Sequence, residues 1–110
     1  MYTKYTLVIL LLIYSLNTVA DNSNDGKNIA FDRNKGNCLA CHIIADGESS
    51  GNIGPELSNM KQRYPEKDLL RKRIWDETEF NPATVMPPFG KHQILTENEI
   101  DKVVEFLYTL

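Results

Sequence analysis

The chain has only two cysteines, and both lie in Cys38-Leu39-Ala40-Cys41-His42, the segment that most constrains its fold. Two thiols three positions apart, followed directly by a histidine, form the attachment signature of c-type haem. One turn of chain brings both sulfurs to one edge of the ring as thioethers, and His42 then lies under the iron as its proximal ligand. The core of a 110-residue chain would have to be built around that apolar plate.

Other uses of the two thiols stay open at this point. A zinc site needs four ligands, and the two histidines, His42 and His92, are the only further candidates of the usual kind. His42 is bonded directly to Cys41, which makes it an awkward third ligand. A thioredoxin-like pair is expected beside a βαβ pattern, and no strand pattern flanks the motif. A structural disulfide is the remaining alternative, and one haem c is the favoured interpretation.

The N-terminus is typical of an exported protein. Lys4 precedes an apolar run from Leu7 to Leu16, and Thr18-Val19-Ala20 supplies small residues for cleavage. The run is shorter than the roughly 20 apolar residues of a membrane-spanning helix, although an uncleaved anchor is the alternative. We therefore predict a Sec-type signal peptide over 1–20, a domain over 21–110, a periplasmic location and no stable membrane anchor. Because no cysteine follows the predicted cleavage site, a lipid anchor is not expected.

The composition of the predicted mature chain excludes one class of partner. Without Lys4 it has 11 basic and 15 acidic residues, a net charge of −4, so a nucleic-acid-binding surface is not expected. The local run Arg71-Lys72-Arg73 is either a solvated helix face or a docking patch for an acidic partner. At 90 residues, the mature chain is one small domain whose core would be marginal without a cofactor.

The pattern along the chain predicts an all-α domain. We expect frayed residues before Gly26, a first helix from about Gly26 to Asn34 that Gly36 separates from the haem motif, and a loop over 45–54. Pro65 is predicted to open a second helix as its first-turn residue.

The last helix has the clearest signal in the sequence. Thr96 and Glu99 have the spacing of a capping box. Apolar residues then recur at helical intervals and form one stripe, which predicts a core-facing surface. The stripe consists of Ile100, Val103, Val104 and Leu107.

Three side chains compete to be the sixth ligand of the iron. Met60 lies only 18 residues after His42, so it is poorly placed to reach the other haem face. Met86 lies 44 residues after His42, in a proline-rich loop that can hold a sulfur rigidly. His/Met ligation also raises the potential of a carrier, so we predict His42 and Met86 as the metal ligands. His92 is the runner-up.

The layout resembles a small class I cytochrome c, in which the N- and C-terminal helices cross above the haem. The resemblance makes five residues candidates for that crossing: Gly26, Phe31, Phe106, Leu107 and Tyr108. It also implies a role for Pro55, in Gly54-Pro55-Glu56-Leu57, whose carbonyl would accept the Nδ1–H of His42. Without the family context, Gly-Pro marks an ordinary turn.

A narrower resemblance covers residues from about Gly26 to the C-terminus. The haem motif, Gly51-Asn52-Ile53-Gly54-Pro55, Met86-Pro87-Pro88-Phe89-Gly90 and the terminal Phe106-Leu107-Tyr108-Thr109-Leu110 are together similar to the SoxX family. These are mono-haem cytochromes of the sulfur-oxidation (Sox) system.

That resemblance implies partners and a place in an enzyme. SoxX proteins pair with SoxA, a second c-type cytochrome, in the periplasm. The SoxAX complex is an L-cysteine S-thiosulfotransferase that joins thiosulfate oxidatively to the carrier SoxYZ, and SoxX passes electrons to a downstream cytochrome. No catalytic residue is then expected in this chain, since both thiols are used by the haem. The alternatives are a free-standing periplasmic cytochrome c carrier and an exported thiol oxidoreductase.

Overall fold

The computed structural model describes residues 22–110, in which every regular element is a helix. Helix α1 runs over 22–31, α2 is Met60–Arg63, α3 is Lys67–Trp75 and α4 is Glu97–Leu107. Short 3-10 turns lie at Cys38–Ala40 and Glu77–Glu79, and no strand occurs in this part of the chain. The predicted all-α fold class is confirmed. The predicted signal peptide lies outside the described residues.

Helix α1 covers a different range from the one the sequence predicted. Residues 22–25, expected to be frayed, are helical, and the helix ends at 31 rather than near Asn34. Asp32 explains the early end, because its carboxylate accepts the N–H of Asn34 at 2.8 Å and its carbonyl accepts that of Lys35 at 3.0 Å. Such local side-chain bonds compete with helical ones. Gly36 is the last residue of this turn and lies after the helix, so it does not itself end the helix.

Helix α3 begins two residues after Pro65, so the prediction of a first-turn proline was wrong. Glu66 occupies the N-cap position with extended backbone, and Lys67 is the first helical residue. Helix α3 then packs along α4, and two ion pairs join the helices: Arg71 to Asp101 at 2.6 Å and Lys67 to Glu105 at 2.7 Å.

The basic run on α3 has its charges paired. Arg71 is bonded to Asp101 on α4. Lys72 pairs with Asp68 one turn earlier at 3.0 Å, and Arg73 pairs with Glu77 one turn later at 2.7 Å. The run is therefore an ion-paired helix face and not an unpaired basic patch.

Helix α4 agrees with its sequence pattern. The Thr96 hydroxyl accepts the backbone N–H of Glu99 at 3.1 Å and donates to the Glu99 carboxylate at 3.2 Å. The predicted apolar stripe of the helix is buried against the core, and Ile100 has no exposed surface.

Helices α1 and α4 cross in close contact at Gly26. A Cβ at that position would overlap the Lys102 carbonyl oxygen and lie 2.9 Å from the Cβ of Phe106. The rings of Phe31 and Phe106 meet edge to face beside the crossing, with centroids 5.9 Å apart. Tyr108 contacts another part of the molecule, since its hydroxyl donates to the Tyr64 carbonyl at 2.6 Å.

Within residues 22–110, none of the helices has the length and apolar character needed to cross a bilayer.

Candidate haem site

The cysteine motif folds as a single tight turn. Asn37 enters it in the left-handed conformation (φ 49°), which asparagine tolerates better than most residues. The Cys38 carbonyl then accepts the N–H groups of Cys41 at 3.2 Å and His42 at 2.9 Å. These two bonds draw Cys38, Cys41 and His42 into one turn on the wall of one cavity.

Both thiols are free rather than joined in a disulfide. Burial raises the pKa of the Cys38 thiol to about 11. A nucleophilic redox cysteine needs the opposite shift, toward a thiolate near neutral pH, so Cys38 lacks the electrostatics of such a nucleophile. Among the described side chains, no group of three or more His, Cys, Asp or Glu residues is arranged to hold a metal ion by itself.

The loop after the motif holds the imidazole of His42 from one side. The Pro55 carbonyl oxygen lies 2.6 Å from Nδ1 of His42, so Nδ1–H donates to it and Nε2 remains to bind a metal. Gly54 makes this approach possible, because a Cβ there would run into the imidazole ring. The loop is fixed in place by its own backbone bond, from the Gly54 N–H to the Cys41 carbonyl at 2.8 Å.

A cavity of about 650 Å³ opens in front of the motif, within the range of small-molecule and cofactor sites. Its walls combine the haem motif, the loop that follows it, the buried side of α3 and α4, and the proline-rich loop. All five sequence-predicted site residues line it: Cys38, Cys41, His42, Pro55 and Met86. The runner-up ligand, His92, is exposed and is not part of the wall.

Met86 belongs to a loop with several internal bonds. Its N–H donates to the Thr84 hydroxyl at 3.1 Å, and the Thr84 N–H donates to the Asn81 carbonyl at 3.0 Å. Pro87 and Pro88 follow, each with a fixed φ, and Phe89 is buried in the core. The methionine is therefore held on both sides and keeps a partly exposed side chain at the cavity.

The structure also places Met60 at the cavity, which the sequence did not predict. This side chain is 1% exposed, and its sulfur lies 3.6 Å from a guanidinium nitrogen of Arg63. The Arg63 guanidinium is tied to the backbone as well, through the Glu56 carbonyl at 2.8 Å. Because an N–H group already faces the Met60 sulfur, Met86 is the better donor for a metal. Sequence separation alone gave no sign that Met60 reaches this wall.

The cavity also contains a cation suited to an acidic cofactor. Arg73 lines it, and its Nε is buried without a hydrogen-bond partner among the described residues. Glu77 fixes the other end of the guanidinium at 2.7 Å, and the Phe80 ring lies 4.4 Å from it. A haem carboxylate would satisfy the free N–H group. The donor set therefore fits haem c, with two thiols, an oriented imidazole, a thioether and a buried cationic donor around one apolar cavity.

Comparison with known proteins agrees with this geometry. The cytochrome c family profile matches residues 23–110. The chain belongs to the cytochrome c family. It is also 37% identical over 79 residues to an uncharacterized lipoprotein of Aquifex aeolicus (strain VF5), an alignment that covers 67% of this chain. The chain spans only 36% of the length of that relative.

As a member of the cytochrome c family, the chain contains a haem c electron-transfer domain. Cys38 and Cys41 would hold the haem covalently, and His42, Met86 and Arg73 would contact its iron and carboxylates. The bound group supplies a one-electron Fe(III)/Fe(II) couple. The chain itself orients the His42 imidazole through Pro55 and restrains the Met86 thioether through the proline-rich loop. It also lines the cavity that would hold the haem ring with apolar side chains.

Proposed function

We propose that this cytochrome is the electron-transfer subunit of a SoxAX-like complex in thiosulfate oxidation, exported to the periplasm, with the sulfur chemistry on its partner. The observation that carries the proposal is that one cavity gathers both cysteines, an oriented His42 and a restrained Met86. With His42 and Met86 as its ligands, the iron would offer no open position for a substrate. With both thiols on the haem, no cysteine remains for sulfur transfer.

The rim of the cavity supports a subunit more than a free carrier. Ile53 and Val85 both line the cavity and are 71% and 76% exposed. Ile94 adds a third exposed apolar side chain at the same cavity. Haem in the cavity would cover part of these side chains, and apolar surface that stays exposed around a site marks where a protein partner binds. A free carrier that relies on transient encounters would instead show mainly charges there.

The partner is tested by coexpression with a SoxA-type cytochrome in a host that matures c-type haem. We expect the two chains to copurify, and Val85→Lys to weaken the complex by placing a charge in its apolar face. Glu97→Lys, an exposed change at the start of α4, is the matched control and leaves the complex intact. A chain that stays monomeric beside SoxA-type partners would favour the free-standing carrier, and thiosulfate turnover by the isolated chain would overturn the proposal.

The ligand assignment is tested separately by visible spectra of the ferric protein. We expect Met86→Ala to remove the methionine–iron charge-transfer band and to lower the reduction potential, because a thioether favours Fe(II). Met60→Ala keeps the band, because Met60 packs against Arg63. Loss of the band in Met60→Ala alone would reverse the assignment.

A further inference from the structure

The C-terminal end of helix α3 contacts the proline-rich loop that carries Met86 at several points. We call this loop, residues 84–91, the methionine loop. The Trp75 carbonyl accepts two successive backbone N–H groups, from Gly90 at 3.2 Å and from Lys91 at 3.3 Å. These two bonds attach the loop to the helix four and five residues after Met86. We refer to Trp75, Asp76, Gly90 and Lys91 as the α3 clamp.

Gly90 is required in the clamp by close approach rather than by backbone conformation, since its φ is not positive. A Cβ at Gly90 would lie inside the indole ring of Trp75. The backbone of the loop therefore rests directly on the tryptophan. Any larger residue would push the loop and the helix end apart.

Asp76 adds a charged contact to the clamp. This carboxylate is 1% exposed, and Thr78 holds one of its oxygens through the backbone N–H at 3.0 Å and through its hydroxyl. The other oxygen, Oδ2, has no hydrogen-bond partner among residues 22–110 and lies 3.5 Å from Nζ of Lys91. Lys91 thus provides the compensating charge for a buried carboxylate, and it does so from the methionine loop.

The chain between Met86 and the clamp is stiff. Pro87 and Pro88 have fixed φ values, and Phe89 is buried, with its carbonyl accepting the N–H groups of Ile94 at 2.9 Å and Leu95 at 3.0 Å. Movement at the clamp is therefore transmitted to Met86 instead of being absorbed by the backbone between them.

We propose that the α3 clamp positions the Met86 thioether. The contacts among Trp75, Asp76, Gly90 and Lys91 then keep small the fraction of molecules in which the sulfur has moved away from the cavity. This inference rests on the proposed role of Met86 as axial ligand. An external ligand binds the iron only in molecules whose sulfur has moved away, so its apparent affinity follows the population of that state. A weakened clamp raises that population.

The test is imidazole titration of the ferric holoprotein, followed through the methionine–iron band. We expect Lys91→Gln to strengthen apparent imidazole binding about fivefold, the upper range for one partly exposed charge pair. Gly90→Ala should strengthen it more than tenfold, because a backbone contact is displaced. Glu105→Gln is the matched control: it breaks the 2.7 Å pair with Lys67 between α3 and α4, at the end of α3 opposite the clamp, and leaves imidazole binding unchanged.

The outcomes separate this inference from the ligand assignment. If Met86→Ala removes the band but Lys91→Gln and Gly90→Ala bind imidazole within twofold of the wild type, the clamp has no positioning role. If Met86→Ala keeps the band, the ligand assignment itself fails. Should Gly90→Ala not yield holoprotein, Lys91→Gln decides, because Lys91 is mostly exposed and its loss leaves the core intact.

Discussion

Substituting Gly26 by alanine tests the crossing of α1 and α4. The added methyl group would overlap the Lys102 carbonyl oxygen and lie 2.9 Å from the Cβ of Phe106. Carbon atoms normally approach to about 3.5–4.0 Å, and a helical carbonyl cannot rotate away. Overpacking of this kind costs about 3 kcal/mol at the upper end of its range. The better helix propensity of alanine offsets about 1 kcal/mol, which leaves a net loss of about 2 kcal/mol.

The loss is measurable as a change in thermal stability. For a domain of this size, 1 kcal/mol shifts Tm by roughly 4–8 °C, so we expect Gly26→Ala holoprotein to melt roughly 8–16 °C below the wild type in far-UV circular dichroism. Asn28→Ala is the control: it gains up to about 0.7 kcal/mol of helix propensity at an exposed position of α1 and should not lower Tm. Equal melting temperatures for the two variants would show that the helices do not cross at Gly26.

Three further predictions follow from single contacts. Gly54→Ala drives a methyl group into the His42 ring, so we expect a lower yield of haem-loaded protein by absorbance, and a normal yield would refute the tight approach. Thr96→Ala removes the N-cap of α4 and should cost about 1 kcal/mol in urea unfolding, an effect that would be missing if water replaced the hydroxyl. The hydrogen bond from the Thr78 hydroxyl lowers the pKa of Asp76 from its ordinary 3.8, with Lys91 contributing after it. A carboxyl group whose pKa is lower in the folded state stabilises the fold above about pH 4, and that stabilisation is lost as the pH falls through the folded-state pKa. Thr78→Val should therefore make the urea midpoint decline less steeply below about pH 4. An unchanged dependence of the urea midpoint on pH would contradict this role of Thr78.

The features that the sequence predicted correctly are those set by residues close together in the chain. The stripe on α4 is buried as its 3.6-residue period requires, and the hydroxyl of Thr96 caps the helix as the spacing to Glu99 indicates. The fold class follows from the same helical patterns. The errors at helix ends have local causes too: the Asp32 turn ends α1 early, and Glu66 takes the N-cap position, which leaves the predicted first-turn residue Pro65 outside α3.

The tertiary structure alone decided which distant side chains meet at the cavity. Sequence separation placed Met60 away from the haem site, yet the fold brings its buried side chain to the same wall as Met86. Nothing in a lone tryptophan and a loop glycine indicated that the Trp75 ring lies against the backbone of Gly90.

The sequence by itself determined the cofactor chemistry, because Cys38, Cys41 and His42 act through a spacing of one chain turn. It also determined that α1, α3 and α4 form, because their periodicity and caps depend on neighbours within four residues, but it did not determine the exact ends of α1 and α3. Only the tertiary structure decided how firmly Met86 is held and which cations face the cavity. Those properties depend on contacts between segments far apart in the chain, and their energies arise only when the packed core brings the segments together.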